Sequence, residues 1–154
     1  MTIQDVNTVE SRRYPAGRRT RNLVGGLSSI QATSFCMGMV VLDPKGGQVP
    51  WHNHEQEEAY LLLEGEAELC VGEERSILMT GQAVYIPSNV FHQLTNLGET
   101  SAKMIYVYGP AGDVAHWRQE LAGTLPVAGQ DAPELPGGAQ PQHTSTEFRT
   151  MEQS

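Results

Sequence analysis

A chain of 154 residues, 39% hydrophobic and 6% aromatic, is long enough for one buried core and reads as a single β-rich domain. Its formal net charge of −8 argues against a nucleic-acid partner, which calls for a basic footprint, and no apolar run approaches the ~18 residues of a membrane span. The N-terminus, MTIQDVNTVESRR, lacks the apolar stretch of a signal peptide, so a cytoplasmic location is expected.

Residues 1–22 read as a polar N-terminal arm with a turn at Tyr14-Pro15-Ala16-Gly17. Arg12, Arg13, Arg18, Arg19 and Arg21 make up half of the ten Lys and Arg residues, whereas Glu55 to Glu74 carries eight glutamates. The expected arrangement is an arm paired with the acidic sheet face of its own or a neighbouring subunit. Residues 23–109 alternate short apolar runs with Gly, Pro and Asn punctuation. The runs are Ser34 to Leu42, Ala59 to Leu63, Glu66 to Val71, Ser76 to Met79, Ala83 to Ile86, Phe91 to Thr95 and Ala102 to Tyr108. Short strands at this spacing predict a sandwich or barrel. Cys36 and Cys70 have no CxxC spacing and are expected to be buried thiols.

The pattern changes after Gly109-Pro110. In residues 110–123, Asp113 can cap a short helix running through Ala122, with Val114, Trp117 and Leu121 on one stripe and Gly123 ending it. Such a helix would cover the barrel or a subunit seam. Residues 124–154, with Pro126, Pro133, Pro136 and Pro141, predict an extended or mobile tail with no packed unit of its own.

Two ordered segments carry the chemistry. The first sets His52, His54 and Glu58 between Gly46 and Gly65. On one strand these three share parity and project together, while Asn53, Glu55 and Glu57 face away. The second, Gly81 to Asn96, contains Pro87, Asn89 and His92. Three imidazoles and a carboxylate suit a divalent transition ion (Fe, Mn, Zn, Ni or Co) and are poor for Ca. Buried donors of this kind have to be paired or metallated, because desolvating an unpaired carboxylate costs several kcal/mol.

Together the two segments resemble the paired motifs of the cupin superfamily in the HxH, the Glu, both framing glycines, the proline, the third His and the final Asn. Asn89 is the one departure, at a turn position where the family usually has Gly; Asn is the residue that next best tolerates positive φ. The resemblance implies an all-β fold, a single-domain cupin antiparallel β-barrel or jelly roll with a metal in its mouth held by His52, His54, Glu58 and His92. It also implies a homodimer, since cupins commonly pair edge strands and exchange N-terminal arms.

Parity places Gln48 with His52, and Tyr60 and Leu62 with Glu58, so Gln48 and Tyr60 are candidates to donate hydrogen bonds to a ligand or orient an imidazole. Tyr106 is a third candidate, on a face shared with Met104 and Tyr108 whose direction the sequence leaves open. Met37 and Met39 are expected in the barrel core, Trp51 at an outer or seam position, His116 at the surface or in packing, and His143 in solvent. No nucleophile elbow, Cys-His signature or phosphate-binding loop competes with the metal.

Four protein ligands leave two positions on an octahedral ion, where a small hydroxy-keto or enediol substrate could chelate. The expectation is an enzyme acting on a small oxygenated metabolite, with a dioxygenase ranked first. A metal-dependent isomerase or lyase acting on a sugar or hydroxy acid comes next, and then a non-catalytic metabolite-binding protein.

Overall fold

The computed structural model describes residues 1–149, so residues 150–154 of the expected tail lie outside the described residues. The strands are β1 (Arg12–Tyr14), β2 (Arg18–Val24), β3 (Cys36–Leu42), β4 (Gln48–His52), β5 (Glu57–Glu64), β6 (Glu66–Val71), β7 (Glu74–Met79), β8 (Ala83–Ile86), β9 (His92–Asn96) and β10 (Ala102–Gly109). Among the described residues one helix, α1 (His116–Ala122), follows. Among the described residues no helix is long and apolar enough to cross a membrane.

The strands form two antiparallel sheets, one of six strands in the order β1-β2-β3-β10-β5-β8 and one of four in the order β4-β9-β6-β7. This is a jelly roll. Between the sheets lies one apolar core that includes Val40, Leu42, Leu62, Ile86, Leu94 and Met104. Burying a side chain such as Leu62, Leu94 or Met104 stabilises the fold by ~1.5–3 kcal/mol. The seven apolar runs fall on β3 and β5 to β10, and the turn at Asn89 has φ 64°, the conformation the sequence called for. Asn96 ties the far turn together, its side-chain amide donating to Leu42 O, Asp43 O and Thr100 O while its Oδ1 accepts from the Gly98 N–H.

Part of the expected arm is built into the sheet. β2 pairs with β3 from Arg18↔Leu42 onward, and β1 pairs with β2. The Arg residues accordingly find other partners than the Glu55 to Glu74 run: Arg18 binds Glu120 and Arg19 binds Asp43. A strand reading Arg-Arg-Thr-Arg-Asn looks like solvated surface, yet Arg18, Thr20 and Asn22 are its buried face because each has a polar partner inside.

The tail is extended, with one isolated bridge between Ala128 and Ala132, and lies across the outer face of the four-stranded sheet. The Trp51 indole N–H donates to Pro133 O at 2.9 Å, Gln93 Nε2 donates to Gln140 O at 2.9 Å, and the Gln140 N–H donates to Glu68 Oε1 at 2.7 Å. All five residues of β4 and all five of β9 are therefore buried, on both faces. Trp51 sits at the outer position expected of it, fully covered.

Helix α1 keeps part of its expected stripe, since Val114 is buried and Trp117 packs against the core. Its buried residues are His116 and Glu120, whereas Leu121 is 52% exposed. Ala115 occupies the N-cap position without a side-chain bond, and Asp113 instead holds Arg118 through two contacts of 2.6 Å. Gly123 ends the helix in the left-handed conformation, as the sequence indicated. The polar face turns inward because Arg18, 1% exposed, has to be neutralised there; Glu120 meets it with two contacts of 2.6 Å.

Candidate metal centre

His52 is the last residue of β4, His54 lies in the crossing segment, Glu58 is on β5 and His92 opens β9. The expectation that the first three share one strand is corrected: the chain leaves the four-stranded sheet after His52 and enters the six-stranded sheet at β5. Donors thus arrive from both sheets. His52 and His92 are paired directly across β4 and β9, and Glu58 sits opposite Tyr108 across β5 and β10.

Each imidazole is oriented by the backbone. His52 Nδ1 meets Pro50 O at 2.6 Å, His54 Nδ1 meets Gln56 O at 3.0 Å, and His92 Nδ1 meets Val90 O at 2.8 Å. A carbonyl only accepts, so each Nδ1 carries hydrogen and each neutral ring keeps its Nε2 lone pair free. One ring nitrogen of each His lies within 4.8 Å of the others. Burial, and then the neighbouring imidazoles His116, His92 and His54, push the His52 pKa well below its usual value. Burial lowers that of His92 to about 4.

The fit to a cation follows from these atoms. Nε2 of His54 and of His92 are buried without a hydrogen-bond partner. His54 Nε2 also lies 2.8 Å from Glu58 Oε2. Burial raises the Glu58 pKa, but the His54 contact and the surrounding imidazoles outweigh it, leaving the carboxylate below its usual range. An imidazole lone pair this close to a carboxylate requires positive charge between or beside them, either a second proton or a metal ion. Nitrogen donors with one carboxylate suit Fe, Mn, Co, Ni or Zn, and His52, His54 and His92 with Glu58 beside His54 would hold the ion.

Beside this cluster is a small cavity of about 20 Å³, enough for a water. Glu58, Tyr60, Tyr106, Val114, His116 and Trp117 are among its walls. Tyr60 and Tyr106 therefore point inward, with Met104 and Tyr108. Burial, reinforced by Glu58, keeps the Tyr60 hydroxyl protonated far above the normal range. Tyr106 is raised chiefly by burial, and its hydroxyl donates to Asn22 Oδ1 at 2.7 Å. Gly38 makes room for it, since a Cβ there would stand 2.5 Å from the Tyr106 hydroxyl.

Gln48 is placed elsewhere. Its amide bonds Thr95 Oγ1 and Pro141 O and accepts from the His143 N–H, so it faces the tail and lies outside the cavity. The reason is a register shift between Val49 and His52, which adds a residue to β4 and reverses parity between Gln48 and His52. Met37 and Met39 are also corrected: they lie half-buried on the outer face of β3, and Cys36, Gly38, Val40 and Leu42 face the core. His143 is partly buried rather than solvated.

His116, expected at the surface or in packing, is 8% exposed and lies beside the site. Its ring stacks on His52, and its Nδ1 lies 3.0 Å from Glu120 Oε2. Burial lowers its pKa more than Glu120 raises it. The signal available in the sequence was the i, i+4 spacing of His116 and Glu120, which puts an imidazole and a carboxylate on one helical face.

Comparison with known proteins agrees with this architecture. The family model for a cupin domain matches residues 38–108. Protein SchB of Streptomyces halstedii is 31% identical over 114 residues, spanning 71% of this chain and 82% of SchB. Polyketide synthase CurC of Streptomyces cyaneus is 28% identical over 109 residues, spanning 70% of this chain and 69% of CurC. The solved structure of the polyketide cyclase RemF from Streptomyces resistomycificus superposes with a TM-score of 0.60 at 19% identity, over 79% of this chain and 92% of RemF, a likeness of fold.

Proposed function

The chain belongs to the cupin superfamily, and from that premise we propose that it is a metal-dependent enzyme acting on a polyketide, a chain of alternating carbonyls, by redox-neutral enolisation, ring closure onto a second carbonyl and loss of that carbonyl's oxygen as water. One observation carries the reading: the buried His92 Nε2 has no hydrogen-bond partner, the His54 Nε2 faces the Glu58 carboxylate, and Glu58 also lines a small cavity walled by phenols and the carboxylate-held His116. The substrate class comes from CurC, whose name makes it a polyketide synthase.

A divalent ion bound by His52, His54 and His92 would act as a Lewis acid on a carbonyl and make the adjacent C–H more acidic. The chain's own residues supply the rest. With Glu58 engaged at the cluster, His116 is the other base lining the cavity, and Glu120 fixes its Nδ1 so that Nε2 is free to take a carbon-bound proton. Tyr60 stays protonated and can donate to an oxygen that gains charge. Tyr60, Glu58 and His116 are buried, and a low-dielectric setting of that kind strengthens each of these contacts.

The same donor set accommodates Fe and oxygen-dependent cleavage, the chemistry ranked first from the sequence, so the test separates the two. The protein would be reconstituted in turn with Fe, Mn, Co, Ni and Zn and given a linear triketone, with oxygen uptake and product mass followed together. A product lighter by one water without oxygen uptake is expected. Oxygen consumption in step with turnover, or no turnover with any of the five ions, would overturn the reading.

A further inference from the structure

The barrel cavity, at about 20 Å³, is far smaller than the ~300 Å³ or more of an ordinary ligand site. The missing space lies next to it. A groove of about 370 Å³ runs between α1, β1 and the turn at Gly26 and Leu27, and it shares Tyr108, Val114 and Trp117 with the cavity. These three side chains therefore border both spaces.

The geometry points to one elongated binding site, of which this groove is the outer half. It takes the flat, uncharged, apolar body of an aromatic or polycyclic carbonyl compound, while the reacting carbonyls enter the barrel and Val114 and Trp117 shift to join the two spaces. What happens at the reacting end rests on the polyketide reading; binding in the groove does not.

Three features favour this ligand. Leu27 and Leu121 are 57% and 52% exposed and wall the same groove, which sets them apart from singly scattered surface apolar residues. Arg12 and Arg118 at the rim are already paired with Glu10 and Asp113, so the groove offers no unmatched positive charge to an anion. The Trp117 ring lies beside Gly26, where a Cβ would be 3.2 Å from its Cη2, so the missing side chain leaves the ring room to move and puts an aromatic group in the groove wall for a flat ligand to pack on.

The test uses alizarin, a planar hydroxyanthraquinone, titrated calorimetrically into the full chain after chelator treatment. One molecule bound per chain is expected, with affinity reduced tenfold or more by Leu27→Arg and by Leu121→Arg, both on exposed positions that leave the core intact, and unchanged by Ile77→Arg on β7. No binding to the native chain, or native affinity in both leucine variants, would overturn the proposal. His92→Ala protein is expected to lose metal yet keep its alizarin affinity, so failure of the metal centre and failure of the groove give different results.

Discussion

His116 of α1 lies flat on His52 at the end of β4, with ring centroids 3.9 Å apart and planes 24° from parallel. The two rings touch but are held independently, one by the Pro50 carbonyl and the other by the Glu120 carboxylate. His116→Gln is therefore expected to lower kcat by ~10²–10⁴-fold while leaving metal stoichiometry unchanged, the usual loss for a removed acid or base. Loss of bound metal in this variant would instead make His116 a ligand.

His52→Ala and His92→Ala are each expected to reduce bound metal to a small fraction of one ion per chain, measured by elemental analysis after purification without chelator. Glu58→Gln, which approaches the cluster beside His54, is expected to weaken metal affinity with less effect on occupancy at saturating ion. Unchanged stoichiometry in both histidine variants would dismiss the centre.

The Arg18–Glu120 pair is almost fully buried and holds the helix over the barrel. Arg18→Met or Glu120→Gln alone leaves its partner stranded and is expected to cost ~3–5 kcal/mol in chemical denaturation. The double variant Arg18→Met with Glu120→Leu, which leaves neither charge behind, is expected to recover most of that stability and still to lose activity.

Acid should act on the same pair. Burial would raise the Glu120 pKa, but Arg18 and His116 outweigh it and leave it below the reference value of 4.5. A carboxylate lowered on folding contributes stability that is present above about pH 4.5 and is lost as pH falls toward its folded value. Below pH 4.5, Tm is expected to drop more steeply in the native chain than in the double variant, which lacks the titrating carboxylate. Parallel curves would count against the assignment.

Truncation after Gly129 removes the carbonyls and amides that cover Trp51, Gln93 and Glu68. Cys70 shares that face of β6, is buried, and has a thiol pushed up to about 11 by burial and then Glu68. The truncated chain is expected to show red-shifted tryptophan emission and faster thiol labelling at Cys70, with Cys36 still protected in the core. Equal labelling rates would mean that the tail does not shield the sheet.

Much of this architecture is legible in the sequence because its punctuation is physical. Gly65 and Gly81 and the substituted Asn89 all take positive φ, and the apolar runs between turns become β3 and β5 to β10. β2 escapes such a reading because Arg18, Thr20 and Asn22 face inward toward polar partners that only the folded chain supplies. Gln48 escapes it for another reason: one extra residue between Val49 and His52 inverts every parity argument made across it. The histidines converge as spacing suggests, although by crossing between sheets and not by sharing a strand.

Sealing both faces of β4 also has a kinetic side. This strand is at the edge of its sheet, where amide hydrogens ordinarily trade with solvent through local fraying. With Trp51 clamped by the tail on one side and Val49 in the core on the other, its protected amides should exchange only when the tail lifts or the whole domain opens. The peptide carrying His52 would then be among the slowest segments of the molecule in deuterium uptake, so an edge strand would behave as a central one.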